Sequence, residues 1–596
     1  MRGELLVSDL RTAFGPAEAV NTVGDIHHWR SVSYRSGQIR GNMLSALGDC
    51  FPEDVSFDPA LTGWYRIYVG LPTLAEMEVW LRLSDDSGIF RLMPMNGQCL
   101  SITRVEEVLW RCCDMTGQKI FLTRSGMQPA KVRHSMLAWL RFVPMDEEEV
   151  KAHLAERNRK DTKRIYATDD IHNRLLRDDL SGRKTWDSVI VPYEDSDVEW
   201  LSLEDVACFT GGSVPTDTPE AYAFKRDGDR NAQHQSAQFN SVAVLKELVQ
   251  KGKAKGLSMS VSLRMGAWTM GFPFDQCYFD NPFFFQNQHL QCVDRDGTVI
   301  PSLSYAFEEV QQYMIDRLVT LAGTGSDAVT LIAHRGGPYL LFEEPVVKKF
   351  TEKYGEVPHT RPLDDPELMD VRCGIMTDFF IKLRAALDCA FPNRRVQIHL
   401  RALVSVYDTK YFGIDCVELA ERGLVDAIIS YPQRFRETIS DTFFHDGRIC
   451  LKEYADYFYN THGSAYYHEN DTDLVSESVL DSAGIPRTPA SLRACVQEWM
   501  ELERSYSVKI YLEIMPRIMG PERMRNRALE LYECGAGRFG LWDTYDRVAC
   551  AGMWAVAGKL GHKDELIKMD SPYYRVYRIH EIAGMNISRN HPSWGG

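Results

Sequence analysis

Two apolar runs set the pattern of the chain. Residues 327–334 read Asp-Ala-Val-Thr-Leu-Ile-Ala-His, and residues 508–514 read Val-Lys-Ile-Tyr-Leu-Glu-Ile. Each is nearly continuous in aliphatic and aromatic residues, ends in polar side chains and precedes a helical pattern. A strand covered on both faces reads this way, which predicts a parallel sheet. From about residue 165 similar runs recur at 203–209, 257–264, 328–334, 395–401, 425–431, 508–514 and 538–543. Helical periodicity fills the gaps at 242–251, 306–321, 368–390, 491–504 and 521–532. This alternation predicts a (β/α)8 barrel, the TIM-barrel architecture, with one strand still to be placed. The run Ser188-Val-Ile-Val-Pro-Tyr193 is the preferred first strand, which makes 328–334 the fourth and 508–514 the seventh; the alternative home is 433–490.

The first 145 residues have a different rhythm. Stretches 64–70, 76–83 and 136–144 alternate or are rich in aromatic and β-branched residues, with turn chemistry at 84–88 and 115–118. Short strands between turns predict an antiparallel β-sandwich. Trp64, Trp80, Trp110 and Trp139 are expected in its core, the sharper alternative being exposed rings that stack on a sugar. Residues 146–164 place acids first and bases last, as a helix dipole favours, and read as a charged helical linker. The expected class is therefore α/β, with a β-sandwich at 1–145, the linker at 146–164 and a barrel at 165–596.

Composition narrows the function classes. The 596 residues are 44% hydrophobic and 25% charged with a formal charge of −15. That balance argues against nucleic acid or an anionic membrane surface as partner. No apolar run reaches 18 residues, and the N-terminus lacks the apolar core of a secretory signal. The fourteen cysteines show no C-x-x-C pair, so reduced thiols and a cytoplasmic location are expected. No glycine-rich phosphate loop supports a nucleotide, and no cofactor is expected. A homo-oligomer is left open.

Candidate chemistry gathers where the predicted barrel strands end, because barrel enzymes keep their active sites there. Those ends supply Arg264, His334, Arg335, His399, Arg401, Tyr431, Glu513, Arg517, Trp542 and Asp543, with Asp280 in a candidate substrate loop. Such a set suits a polyhydroxylated substrate, with hydrogen bonds for hydroxyls and an aromatic face for a pyranose ring. Glycoside hydrolysis needs two carboxyls. Glu513 is the expected nucleophile or base, its alternative being an ion pair with Arg517 or Arg401. Glu343 or Glu344 is the expected acid, although Glu-Glu-Pro also suits the opening of a helix; Asp543 competes for either role. His334 and His399 lack metal-ligand spacing, and no metal site is expected. The rival readings are a sugar isomerase, epimerase or lyase using His334 or Tyr431 as base, and a non-catalytic carbohydrate-binding protein.

Several segments resemble the bacterial proteins called family 10 glycosyl hydrolase-like. They are Phe342-Glu-Glu-Pro-Val-Val-Lys-Lys-Phe-Thr-Glu-Lys-Tyr-Gly355 with Pro358, Gly423-Leu-Val-Asp426, Tyr511-Leu-Glu-Ile-Met-Pro-Arg517 and Gly540-Leu-Trp-Asp543. The resemblance spans roughly residues 195–562, and Thr62-Gly-Trp-Tyr-Arg-Ile-Tyr-Val-Gly70 is similar to the sandwich that often precedes that barrel. It implies a glycosidase of a clan with one Glu on strand 4 and another on strand 7. Glu344-Pro345 is similar to that clan's Asn-Glu-Pro, with Glu343 where the clan has Asn, and Glu513 fits the strand 7 position.

Overall fold

A computed structural model describes residues 3–587 except 24, 49, 51, 96–101, 125–133, 172–185, 206–241, 267, 269–281, 335–337, 404, 431–491, 515–519 and 570–573. Eight parallel strands close into a barrel. They are β1 (Ile165–Asp170), β2 (Val198–Asp205), β3 (Ser258–Arg264), β4 (Ala328–Ile332), β5 (Gln397–Ala402), β6 (Ala427–Ser430), β7 (Lys509–Glu513) and β8 (Phe539–Leu541). Helices Val242–Ala254, Glu308–Ala322, Pro366–Ala390, Leu492–Ser505 and Pro521–Glu533 lie between them in the chain. The TIM barrel and the numbering of strands 4 and 7 agree with the sequence pattern.

The first strand is a correction. It is Ile165–Asp170, whereas Asp187–Ile190 forms one turn of α-helix and Val191–Tyr193 a 3-10 turn. This segment is apolar because it is buried between the two halves of the molecule. The N–H of Ile89 donates to Ser188 Oγ at 2.9 Å, and the hydroxyl of Tyr193 donates to Asp169 Oδ2 at 2.7 Å.

Period-two alternation divides each barrel strand between two environments. Ile165, Ala167, Leu201, Leu203, Val261 and Leu263 pack outward into the helix-covered core. Tyr166, Trp200, Ala328, Ala427, Ile429 and Tyr511 form a separate cluster, the plug inside the barrel. On β1, β2, β3, β5 and β7 the inward positions nearer the C-terminal ends are polar, and these build the candidate site, whereas β4 and β6 present Ile332 and Ile429 there.

Residues before the linker form antiparallel sheets, as expected of a sandwich. One has the order Leu5–Val7, Trp139–Pro144, Trp64–Pro72, Arg104–Asp114 and Tyr574–Arg578. A second joins Val55–Phe57, Ile120–Thr123, Val79–Leu83 and Phe90–Leu92; a third is built on Trp29–Ser36 and Ile39–Ala46. The end of the chain thus returns to the N-terminal sheets, with Tyr574–Arg578 on Arg104–Asp114 and Glu581–Ile582 on Trp29–Ser36. Trp80 and Trp139 are buried, and Trp64 and Trp110 are half-buried. Gly70 lets Trp139 lie flat on its strand, since a Cβ there would stand 2.6 Å from the indole. The linker helix is Glu147–Arg157, started by a capping box between Asp146 and Glu149.

Candidate active site at the barrel mouth

The inward side chains change from aromatic to charged as the strands approach their C-terminal ends. On β1, Tyr166 is followed two and four residues later by Thr168 and Asp170; on β2, Trp200 by Ser202 and Glu204. β3 presents Ser260, Ser262 and then Arg264, β5 His399 and then Arg401, and β7 Tyr511 and then Glu513. Backbone register places Asp170 directly beside Glu204.

Glu513 is fully buried and held at both oxygens. The Trp542 backbone N–H donates to Oε1 at 2.5 Å, and Arg401 Nη1 donates to Oε2. Arg401 also reaches across the interior, donating from Nη2 to Thr168 Oγ1 at 2.6 Å. Its guanidinium carbon stands 4.7 Å from the Trp542 ring centroid, within cation–π range. The His334 ring meets Trp542 edge to face at 4.7 Å. Gly540 makes this packing feasible, because a Cβ there would lie 3.0 Å from Ile429 Cγ2 and 3.2 Å from Glu513 Cα.

A second buried pair lies on β2 and β3. Arg264 Nε donates to Glu204 Oε1 at 2.6 Å, while Glu204 Oε2 is buried without a hydrogen-bond partner among the described residues. Asp170 and Glu204 are absent from the residues expected from sequence. The signal was nevertheless present: Ile-Tyr-Ala-Thr-Asp-Asp at 165–170 is an apolar start with an acidic end, the same grammar that points to Glu513.

The remaining expected site residues separate into groups. Arg264, His334, Arg401, Glu513 and Trp542 gather on the inward tier. His399 lies one inward step below Arg401, with Nδ1 3.0 Å from the Tyr166 hydroxyl and Nε2 2.9 Å from Gln397 Oε1. Burial holds its pKa down at about 3, so it is a neutral imidazole inside the plug. Asp543 is buried directly after Trp542 and adopts a left-handed conformation, φ 51° and ψ 62°, ahead of helix Thr544–Ala549. Asp280, Arg335, Tyr431 and Arg517 lie outside the described residues.

The two expected acids stand apart from one another. Glu344 is exposed and is the first residue of helix Glu344–Tyr354, with Pro345 in its first turn. Glu343 is buried, and its carboxylate accepts the N–H groups of Val293 at 2.9 Å and Leu341 at 2.9 Å. Those bonds tie the loop after β4 to the hairpin strand Gln291–Val293. Burial raises the Glu343 pKa, partly offset by the amides it accepts.

No known family's sequence profile matches the chain, and no curated protein matches it. Among solved structures, it is similar to an α-galactosidase from Thermus thermophilus at 12% identity and TM-score 0.32, covering 89% of this chain and 94% of that one. It is also similar to the PgaB (BpsB) glycoside hydrolase domain from Bordetella bronchiseptica, at 12% identity and TM-score 0.38, with 64% and 95% covered. The catalytic domain of β-amylase from Paenibacillus polymyxa gives 11% identity and TM-score 0.37, with 69% and 99% covered. Likeness at this level leaves the reaction to the chemistry of the site itself.

Proposed function

We propose that the chain is a glycoside hydrolase working at the C-terminal mouth of its barrel, with Glu513 as nucleophile and Glu204 as acid/base. The observation that carries this reading is the inward tier of strand-end carboxylates. Glu513 is oriented by two donors, whereas Glu204 keeps one buried oxygen with no hydrogen bond among the described residues. Glu204 is preferred to Glu343, whose oxygens are occupied by backbone amides, and to Glu344, which opens a surface helix. Asp543 remains the next choice, because left-handed non-glycine backbone concentrates at functional positions.

In this scheme Glu204 donates a proton to the glycosidic oxygen as the bond to the leaving sugar breaks, and Glu513 attacks the anomeric carbon from the opposite face. Glu204 then takes a proton from the water that releases the glycosyl group. Arg264 and Arg401 align the two carboxylates, and Trp542 with His334 forms the aromatic wall. Arg335, Tyr431, Arg517 and Asp280 complete the proposal as substrate contacts, whereas His399, buried in the plug below Arg401, supports the tier from beneath. No cofactor or metal takes part in this scheme. The family 10-like assignment belongs to the same proposal, supported by the segments around Glu343, Glu513 and Trp542. So does a cytoplasmic location, supported by the free thiols of the nine cysteines whose side chains are described.

The test is hydrolysis of a panel of aryl glycosides and natural oligosaccharides by the wild type and by Glu204→Gln. The wild type is expected to release reducing sugar. The variant is expected to lose about 10²–10⁴-fold in kcat, the range for a positioned acid/base. Wild-type-like turnover by Glu204→Gln would remove that residue from the chemistry. Retention is expected of a carboxylate fixed for direct attack, corresponding to a carboxyl separation of about 5–5.5 Å, and inversion to about 6.5–9.5 Å. NMR of the first-released anomer distinguishes the two. A second reading, a non-catalytic sugar-binding protein, is favoured by the complete burial of Glu513 and Arg401. Saturable glycan binding with no product would support it.

A further inference from the structure

At the other end of the barrel, three elements of the chain meet away from the mouth. The linker helix Glu147–Arg157 brings Glu156, the turn ahead of β2 brings Asp197, and the segment opening helix Lys563–Lys568 brings His562 and Glu565. One ligand atom each from Glu156, His562 and Glu565 lie within 4.8 Å of one another. His562 is only 5% exposed. Its Nδ1 lies 2.6 Å from Asp197 Oδ2, an oxygen that also accepts the Gly561 N–H at 3.0 Å. A carboxylate on one ring nitrogen fixes the tautomer and aims the other nitrogen, the arrangement that commonly supports a metal-ligating histidine.

The aimed nitrogen is the telling atom. His562 Nε2 lies 2.9 Å from Glu156 Oε2 yet makes no hydrogen bond among the described residues. Atoms this close that are not aligned on each other fit neighbouring ligands of one ion. Ligands about 2.0–2.2 Å from a metal lie about 3 Å apart when adjacent. We propose that Glu156, His562 and Glu565 form a divalent transition-metal site, with Asp197 positioning the imidazole. One nitrogen and two carboxylates suit Zn²⁺, Mn²⁺ or Co²⁺, whereas an imidazole ligand disfavours Ca²⁺.

The surrounding charge is compatible with a cation. Arg159 Nη1 lies 3.0 Å from Glu156 Oε2 and 3.4 Å from Asp564 Oδ2, and Lys559 Nζ lies 3.1 Å from Glu565 Oε2. Four carboxylates (Glu156, Asp197, Asp564, Glu565) against two bases leave a formal −2 before Asp161, which also pairs with Arg159, is counted. Both bases are partly exposed. The ion would staple the linker helix to the barrel base. Its role is structural and independent of the proposed hydrolysis.

The test uses the full chain, stripped with a chelator and titrated with CoCl₂. The expected result is a visible d–d absorption that saturates at one equivalent, lacks the near-ultraviolet band of cobalt–thiolate bonds and is displaced by ZnCl₂. ZnCl₂ alone should raise the melting temperature. His562→Asn should abolish the signal. Glu565→Gln should weaken Co²⁺ binding about tenfold or more and cancel the thermal shift, within the range expected for loss of a ligand or its support. Should His562→Asn fail to fold, Glu565→Gln decides alone. A titration that does not saturate by about 1 mM Co²⁺ would overturn the proposal. So would binding that Glu565→Gln leaves unchanged; His562 would then be an imidazolium bridging Asp197 and Glu156.

Discussion

The N-terminal sheets and the barrel mouth both bury glutamates against arginines, and they complete the hydrogen bonds differently. In the sheets, Glu78 accepts Trp80 Nε1 on one oxygen and Arg91 Nε on the other, at 3.0 and 2.7 Å. Glu107 accepts Trp139 Nε1 at 2.7 Å and Arg141 Nε at 2.8 Å on Oε2, and the Tyr577 hydroxyl on Oε1. Each oxygen of these carboxylates has a donor. At the mouth, Glu204 sits beside Asp170 with one oxygen bonded to Arg264 and the other without a hydrogen bond among the described residues. A buried acceptor without a donor costs about 1–3 kcal/mol. A stabilising pair has no reason to retain that cost, whereas a site completed by a substrate hydroxyl or glycosidic oxygen does. Glu513 stands between the two cases, since it has donors on both oxygens but lies on the strand-end tier.

Separate readouts can break this comparison. Arg401→Met and Arg91→Met each strand a buried glutamate, and each is expected to cost about 3–5 kcal/mol in urea unfolding. They should part in activity. Arg401→Met abolishes turnover even under conditions where the protein remains folded, and Arg91→Met leaves the folded fraction active. Equal activity in the two variants would erase the distinction between the regions.

His399 gives the next effect. Its pKa of about 3 in the folded protein lies below the unfolded value of about 6.5, so the unfolded chain binds the extra proton first as pH falls. The stability it contributes is intact above about pH 6.5 and is lost progressively between 6.5 and 3, at about 1.4 kcal/mol per pH unit. His399→Gln should flatten that slope in urea midpoints measured from pH 7 to 4. An unchanged slope would mean that the imidazole is not buried neutral in the plug.

The smallest effect concerns Asp543. Its left-handed backbone favours glycine, so Asp543→Gly is expected to change stability by no more than about 1 kcal/mol in either direction. A large fall in kcat with an unchanged urea midpoint would mark the Asp543 carboxylate as part of the chemistry, in place of Glu204.

Much of the architecture was legible because burial on both faces leaves a strong mark. The run ending at Glu513 is a strand in the structure, and so is the run at 328–332. The same logic misread 188–193, since an apolar segment buried between the N-terminal sheets and the barrel looks like a strand when only its composition is visible. Ile165–Asp170 was overlooked because its apolar half, Ile-Tyr-Ala, is only three residues long and stands between the charged linker and the polar Thr-Asp-Asp. Glu343 shows a different limit. Its neighbour Pro345 and the apolar residues before it are visible in sequence, but the amide of Val293, fifty residues upstream, is not. Side-chain partners joined across the barrel, such as Arg401 with Thr168 and Glu513, depend on closure of the sheet and have no local signature.

The central claim is that the buried carboxylate at the tip of β7 performs chemistry. The direct measurement is kcat for Glu513→Gln on a substrate that the wild type turns over, with circular dichroism and the urea midpoint recorded on the same preparation. The account predicts a folded protein with turnover reduced by about 10³-fold or more. A folded variant with near-normal turnover would contradict it.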